Sequence, residues 1–228
     1  MPTNTADQAI PLPVDADTAD APVAFTNQTA VIESRLVKRY TNAADRTARN
    51  PSPTAGEKCY LTAEAQWHRC VTGGGTPVWW EDHPLWVRKS AEAQVANNTT
   101  VFVVDTHLLL PMQVNARYEL YGYFLWDSGT TGDIKFDWTG PAGFTMPLWG
   151  ITAPDTALAF SNGFSQAAGT AVARGGAGIG TFVAGILNGS VLTVGTAGNL
   201  QLRWTQNAAE AVNTRLKTES WIKLTRVG

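Results

Sequence analysis

The chain has 228 residues, of which 44% are apolar but only 16% charged, against about 25% charged in an ordinary globular domain. Its net charge of −2 supplies no basic field for a nucleic-acid backbone or an anionic membrane, so neither is expected as a partner. No run reaches the roughly 18 uninterrupted apolar residues of a membrane helix; the nearest, Gly178–Val194, is broken by Asn188 and four glycines.

In chain order, residues 1–24 read as an extended arm. Pro2, Pro11, Pro13 and Pro22 fix the backbone and remove amide donors, and Asp7, Asp15, Asp17 and Asp20 meet no Lys or Arg. The opening has no early basic residue and no apolar core, so a secretory signal is not expected. Such a segment orders by lying along a partner. Residues 25–50 predict a helix on the stripe Ile32, Leu36, Tyr40 and Ala43, spaced by four, four and three. One narrow stripe buries too little to hold that helix alone, so it packs on another domain, on another protein or on its own copies in a short bundle. Pro51 ends it.

Residues 51–95 predict a small β-hairpin module. GEKCYL (56–61) and WHRCV (67–71) flank a polar turn; a four-residue loop at 63–66 sets Thr62 opposite Trp67 and Cys59 opposite Cys70. Opposed Cα atoms lie about 4.5–5.5 Å apart, close enough for a disulfide, while a reducing cytoplasm keeps both as thiols. A zinc site from these cysteines with His68 and His83 lacks the CxxC spacing that supports one. TPVWW (76–80) reads as a further strand and EDHP as a turn.

Residues 96–228 alternate with a period of two almost throughout. Strands are expected at VFVV (101–104), THLLL (106–110), YELYGYFLW (118–126), DIKFDW (133–138), TMPLWG (145–150), TAVAR (170–174), TFVAGIL (181–187) and SVLTV (190–194), and in the last thirty residues. DSGTTG, TGPAG, ITAPDT and NGS read as turns between them. The chain is therefore expected to be mainly β: a C-terminal antiparallel sandwich of the jelly-roll type, preceded by the arm, one helix and the hairpin module. In YELYGYFLW both faces are apolar, with Leu120, Phe124 and Trp126 on one and Tyr121, Tyr123 and Leu125 on the other. That pattern places the strand inside an assembly interface or under a second layer.

Catalytic signals are sparse. GGAGIG (175–180) lacks the GK[ST] of a phosphate loop. Ser161, Ser165 and Ser220 lack a nucleophile-elbow context, and His68, His83 and His107 form no spaced set. Asp127, Asp133 and Asp137 bracket an aromatic turn and are the one candidate carboxylate group for glycoside cleavage; as turn caps they accept backbone amides instead. Trp126, Trp138 and Trp149 stack on sugar rings if exposed and fill the core if buried. No cofactor is implied.

IPLPVDADTADAP (10–22), RLVKRYTNAADRTA (35–48), the proline-glycine-tyrosine-tryptophan pattern of residues 50–80, TTGDIKFDWTGPAG (130–143) and LQLRWTQNAAEAVNTRLKTESWIKLTRV (200–227) together resemble tail-fibre and minor tail proteins of tailed bacteriophages, especially those of actinobacteria. Thr205 stands where that pattern commonly has Ala. The resemblance implies a virion structural protein and a homotrimer. Residues 1–50 would join it to other virion proteins, and a distal sandwich would face the host surface and its glycans. A capsid-attached head fibre or decoration protein, and a carbohydrate-binding or polysaccharide-degrading sandwich, are the alternative readings.

Overall fold

The computed structural model describes residues 3–4, 11–12, 38–63, 65–73, 76–92 and 95–228. The chain divides into two units, Met1–Asp82 and His83–Gly228.

In the first unit β1 (Thr3–Asn4) pairs antiparallel with β2 (Pro11–Leu12). A second sheet runs β3 (Lys38–Tyr40), β4 (Lys58–Leu61), β5 (Gln66–Thr72) and β6 (Val78–Glu81), with β3 parallel to β4 and the rest antiparallel. Tyr40, Cys59 and Leu61 form its core, with Trp79 against them. The only helix among the described residues is α1 (Ala43–Arg49). It starts where Asn42 Oδ1 accepts from Asp45 N (3.0 Å) and Asp45 Oδ2 accepts from Thr41 N (2.8 Å). These two bonds pin the first turn, and the predicted helix over 25–50 is corrected: Lys38–Tyr40 is strand, so Tyr40 and Ala43 share no helix face. Ile32, Leu36 and most of the arm lie outside the described residues.

The hairpin forms with a four-residue loop one position earlier than expected, pairing Leu61 with Gln66 and Cys59 with His68. Cys70 therefore faces Glu57, whose carbonyl accepts its amide (2.8 Å), and no disulfide forms. Cys70 Sγ instead donates to Thr72 O (3.1 Å).

The second unit begins with β7 (Leu85–Arg88) and continues through β8 (Val103–Met112), β9 (Arg117–Asp127), β10 (Ile134–Thr139), β11 (Thr145–Pro154), β12 (Phe160–Ser165), β13 (Val172–Arg174), β14 (Val183–Leu192), β15 (Gly198–Thr205), β16 (Arg215–Leu216) and β17 (Trp221–Arg226). One sheet has the order β13-β10-β15-β8, the other β12-β11-β14-β9-β17-β7, with β16 also on β9; every pairing is antiparallel. The eight consecutive strands β8–β15 thus split into 8-15-10-13 and 9-14-11-12, the two four-stranded sheets of a jelly roll. β17 and β7 widen the second. The hairpin module therefore stops at Asp82 rather than at residue 95, because the alternation in LWVR buries Leu85 and Val87 against the sandwich core.

Inward alternation fills that core with Phe124, Trp126, Ile134, Phe136, Trp138, Trp149, Leu202 and Trp204. Phe124 stacks on Phe136 (5.1 Å between centroids), and Trp138 meets Trp149 edge-on (6.1 Å). NGS at 188–190 is not a turn but the middle of β14. Gly189 lies opposite Trp149, and a Cβ there would stand 2.8 Å from the Trp149 Cβ. Glycine is what lets the two strands pass at that point.

The sheets are tied where Lys89, just beyond β7, bonds Asp105 of β8 at 2.6 Å with both side chains wholly buried. Asp105 also accepts from His107 N, Leu108 N and Trp204 Nε1 (2.9, 3.0 and 3.1 Å). Burial pushes its carboxyl up, but the Lys89 ammonium and the two amides outweigh it and hold the group below the usual carboxylate range.

Candidate functional site

The outward face of the wide sheet carries the candidate site. Strand register fixes which side chains share a row across it. One row runs Trp86, Lys223, Tyr121, Asn188, Gly150, Phe164 from β7 to β12; the next runs Arg88, Trp221, Tyr123, Ile186, Thr152, Asn162. Trp86 is 65% exposed, Phe164 67%, Ile186 53% and Tyr121 43%, while Tyr123, Leu125 and Trp221 are half-buried. Lys223 Nζ sits 5.3 Å from the Tyr121 ring centroid, and Arg88 pairs with Glu219 at 3.6 Å. Six strands spaced about 4.8 Å make this face roughly 24 Å wide.

At the other end, Gly150 brings no side chain to its row and leaves a depression of about 250 Å³. Leu148 and Phe164 wall it, and Thr152, Asn162 and Asn188 supply polar groups. The Thr152 hydroxyl donates to Asn162 Oδ1, which turns the Asn162 amide N–H groups away from Thr152. A Cβ on Gly150 would meet Gly163 O at 2.6 Å and the Phe164 Cβ at 3.0 Å. Glycine thus also sets how closely β12 approaches.

The sequence-predicted site residues fall elsewhere. Trp126, Trp138 and Trp149 are at most 1% exposed; they point inward from β9, β10 and β11 and offer no ring face to a sugar, which corrects the stacking assignment. Asp127, Asp133 and Asp137 are all buried, at most 7% exposed. Each bonds a loop amide: Asp127 that of Gly180 (3.1 Å), Asp133 that of Gly176 (2.9 Å) and Asp137 that of Gly169 (2.9 Å). The glycine-rich GGAGIG segment therefore gives two of its amides to carboxylates of its own chain. Burial raises the Asp133 carboxyl, the Glu210 carboxylate raises it further, and the Gly176 amide only partly opposes them.

Ser220 is buried and accepts from Leu125 N (3.0 Å), and Ser165 donates to Ala167 O (2.9 Å). His68 lies opposite Glu81 on β5, and His107 Nδ1 stands 3.9 Å from Asp105. Among the described residues no cluster of His, Cys, Asp and Glu is arranged to hold a metal ion, and no helix is long and apolar enough to cross a membrane. Trp86, Trp221, Asn162, Asn188 and Phe164 escaped the sequence reading. Each is unremarkable in its own strand, and only the register gathers them.

No family model matches the chain, and no curated protein matches it. Among solved structures it is similar to a chain of infectious bursal disease virus, Gt strain, with 10% identity over 71% of this chain and 47% of the other, at a TM-score of 0.16. The chain spans about half the length of that protein, and a likeness so slight carries no argument.

Proposed function

We propose that the protein is a structural subunit of a tailed-phage virion, a short fibre or minor tail protein that assembles as a homotrimer and presents its jelly roll to the host surface. The observation that supports this most is the aromatic end of the wide sheet, where exposed Trp86 and Tyr121 lie on an outward face with half-buried Trp221, Tyr123 and Leu125. A soluble monomer seldom leaves so large an apolar patch uncovered, and the low charge content of the chain points the same way. The second copy of the chain is the partner we assign to this end of the face. The sequence resemblance supplies the phage setting, and residues 1–50 are the proposed link to other virion proteins.

Light scattering on the purified protein tests the assembly. A mass near three times the 24.5 kDa chain is expected, falling towards one chain in the Trp86→Ser/Tyr121→Ser variant; a monomeric parent protein would refute it. For the anchor, the cut belongs before β3, because β3 is a strand of the β3–β6 sheet and α1 follows it directly. A chain lacking residues 1–37 should fold yet be missing from purified particles. Recovering it on particles at the parent level would remove that role. Antibody labelling in electron micrographs distinguishes a tail position from a capsid position.

A further inference from the structure

We infer that the depression floored by Gly150 is a binding site for one neutral pyranose residue of a surface glycan. This deepens the host-facing reading above, on which it rests for the source of the sugar. Three features argue for the ligand class. The polar groups turned into the depression are two carboxamides and a hydroxyl, from Asn162, Asn188 and Thr152, and none of the lining residues carries a charge. A neutral polyol meets every one of them as donor or acceptor, whereas an ion would lose its solvation there with no charged side chain among the lining residues to pair with it; the buried Arg174 guanidinium behind the lining is held by Ile151 O and Ala173 O.

The wall is as specific as the floor. Phe164, two-thirds exposed on the edge strand β12, offers an aromatic ring beside these groups. A pyranose has the matching two-sided chemistry, an apolar C–H face against a rim of hydroxyls. Size limits the ligand further. About 250 Å³ lies below the roughly 300–1,000 Å³ of pockets that enclose drug-sized ligands, so the site takes a single ring and leaves the rest of a polymer in solvent.

Thr152 fixes the donor end by holding Asn162 Oδ1, so the Asn162 N–H groups are left for the ligand. The Asn188 side-chain carboxamide, on β14 in the row of Gly150 and Phe164, makes no hydrogen bond within the described residues. The depression lies towards the β12 edge, away from Trp86 at the β7 edge. A trimer built on the aromatic end would therefore carry three such sites, and a weak single-ring affinity becomes useful through avidity.

The test is a saturation-transfer NMR and calorimetric titration of the full-length protein with glucose, galactose, mannose and N-acetylglucosamine, beside glucuronate as a charged comparator. At least one neutral sugar should bind with a Kd on the order of 1 mM and glucuronate at least about tenfold more weakly. Phe164→Ser and Asn188→Ala, both at exposed positions, should each weaken binding about tenfold while circular dichroism and solution mass stay unchanged. Trp86→Ser should leave the per-site affinity as it was. The inference is overturned if no sugar of the panel binds, if both variants bind as the parent does, or if either variant lowers the solution mass, which would put the depression inside a subunit contact. Solution mass and presence on particles are read separately, so a virion subunit without sugar affinity removes this inference and leaves the structural reading standing.

Discussion

The two sheets of the jelly roll finish their outward faces in opposite ways. Over the four-stranded sheet, Asp137 of β10 is wholly buried, accepting from Gly169 N (2.9 Å) and from Arg203 Nε of β15 (3.0 Å). Arg203 and Lys135 in turn sit 4.8 and 5.4 Å from the Phe102 ring centroid. The chain's own segments and its scarce charges close that face. Over the wide sheet the same period-two alternation leaves Trp86, Tyr121 and Ile186 exposed, with Tyr123 half-buried among them. A face closed by its own loops needs no partner, whereas a bare apolar face still has its hydrophobic stabilisation to gain from one.

The largest test of this contrast uses one residue type on two faces. Trp126→Ala removes a wholly buried indole and its Nε1–H bond to Gly175 O (2.9 Å). It should cost about 3–5 kcal/mol, read as a lowered denaturation midpoint. Trp86→Ala, on the outward face, should change single-chain stability by less than about 0.5 kcal/mol while altering the solution mass. Similar losses at the two positions would mean that the wide sheet is not bare in solution.

Next comes the tie between the sheets. Lys89→Met strands the Asp105 carboxylate in the core and should cost about 3 kcal/mol; adding Asp105→Asn removes the stranded charge and regains part of the loss. In the parent, Asp105 titrates below the unfolded value. Its contribution is therefore present above the unfolded carboxylate pKa and is lost as pH falls through the folded one. Urea midpoints across the acid range should show that loss in the parent and not in the double variant.

Asp137→Ala attacks the closed face directly. It takes the carboxylate from Arg203 and from Gly169 N, and about 2 kcal/mol is expected from hydrogen bonds to a charged group, given that Arg203 is a third exposed. The variant should also bind a hydrophobic dye more strongly as the covering segment loosens. Unchanged stability would show that the loop packs there without the carboxylate.

Period two was legible wherever one face is buried. In DIKFDW it placed Ile134, Phe136 and Trp138 inward, and in LQLRW it placed Leu200, Leu202 and Trp204 inward; all six are core. It also read both faces of YELYGYFLW as apolar. What it missed was set by long-range pairing. NGS carries turn chemistry, yet β14 runs through it because Trp149 claims the space beside Gly189. LWVR joined the wide sheet because β17, more than 130 residues later, supplies its partner. The cysteine register failed by a single loop position, since a hairpin sequence rich in polar residues does not fix where its turn begins. The candidate tryptophans failed for a related reason: alternation says which residues share a face, and a partner sheet decides which face is inside.

The smallest effect concerns how the chain closes its own end. Asp133 accepts from Gly176 N (2.9 Å), holding the glycine-rich segment, but its carboxyl is buried near Glu210 and is raised above the usual carboxylate range. A carboxyl raised on folding favours the folded state while it is protonated and costs stability as pH climbs through the folded pKa, because the unfolded chain ionises more easily. At neutral pH the parent therefore bears that cost. Asp133→Asn keeps an oxygen for the Gly176 amide and removes the charge beside Glu210, so it should be slightly more stable than the parent at neutral pH. On mild acidification the advantage should shrink, as the parent carboxyl takes up its proton and the two side chains become near equivalents. Urea midpoints of the two proteins at both pH values decide it. If the variant is instead the weaker protein at neutral pH, the charged bond to Gly176 outweighs burial, and carboxylate-to-amide pins are a source of stability in this jelly roll rather than a cost it carries.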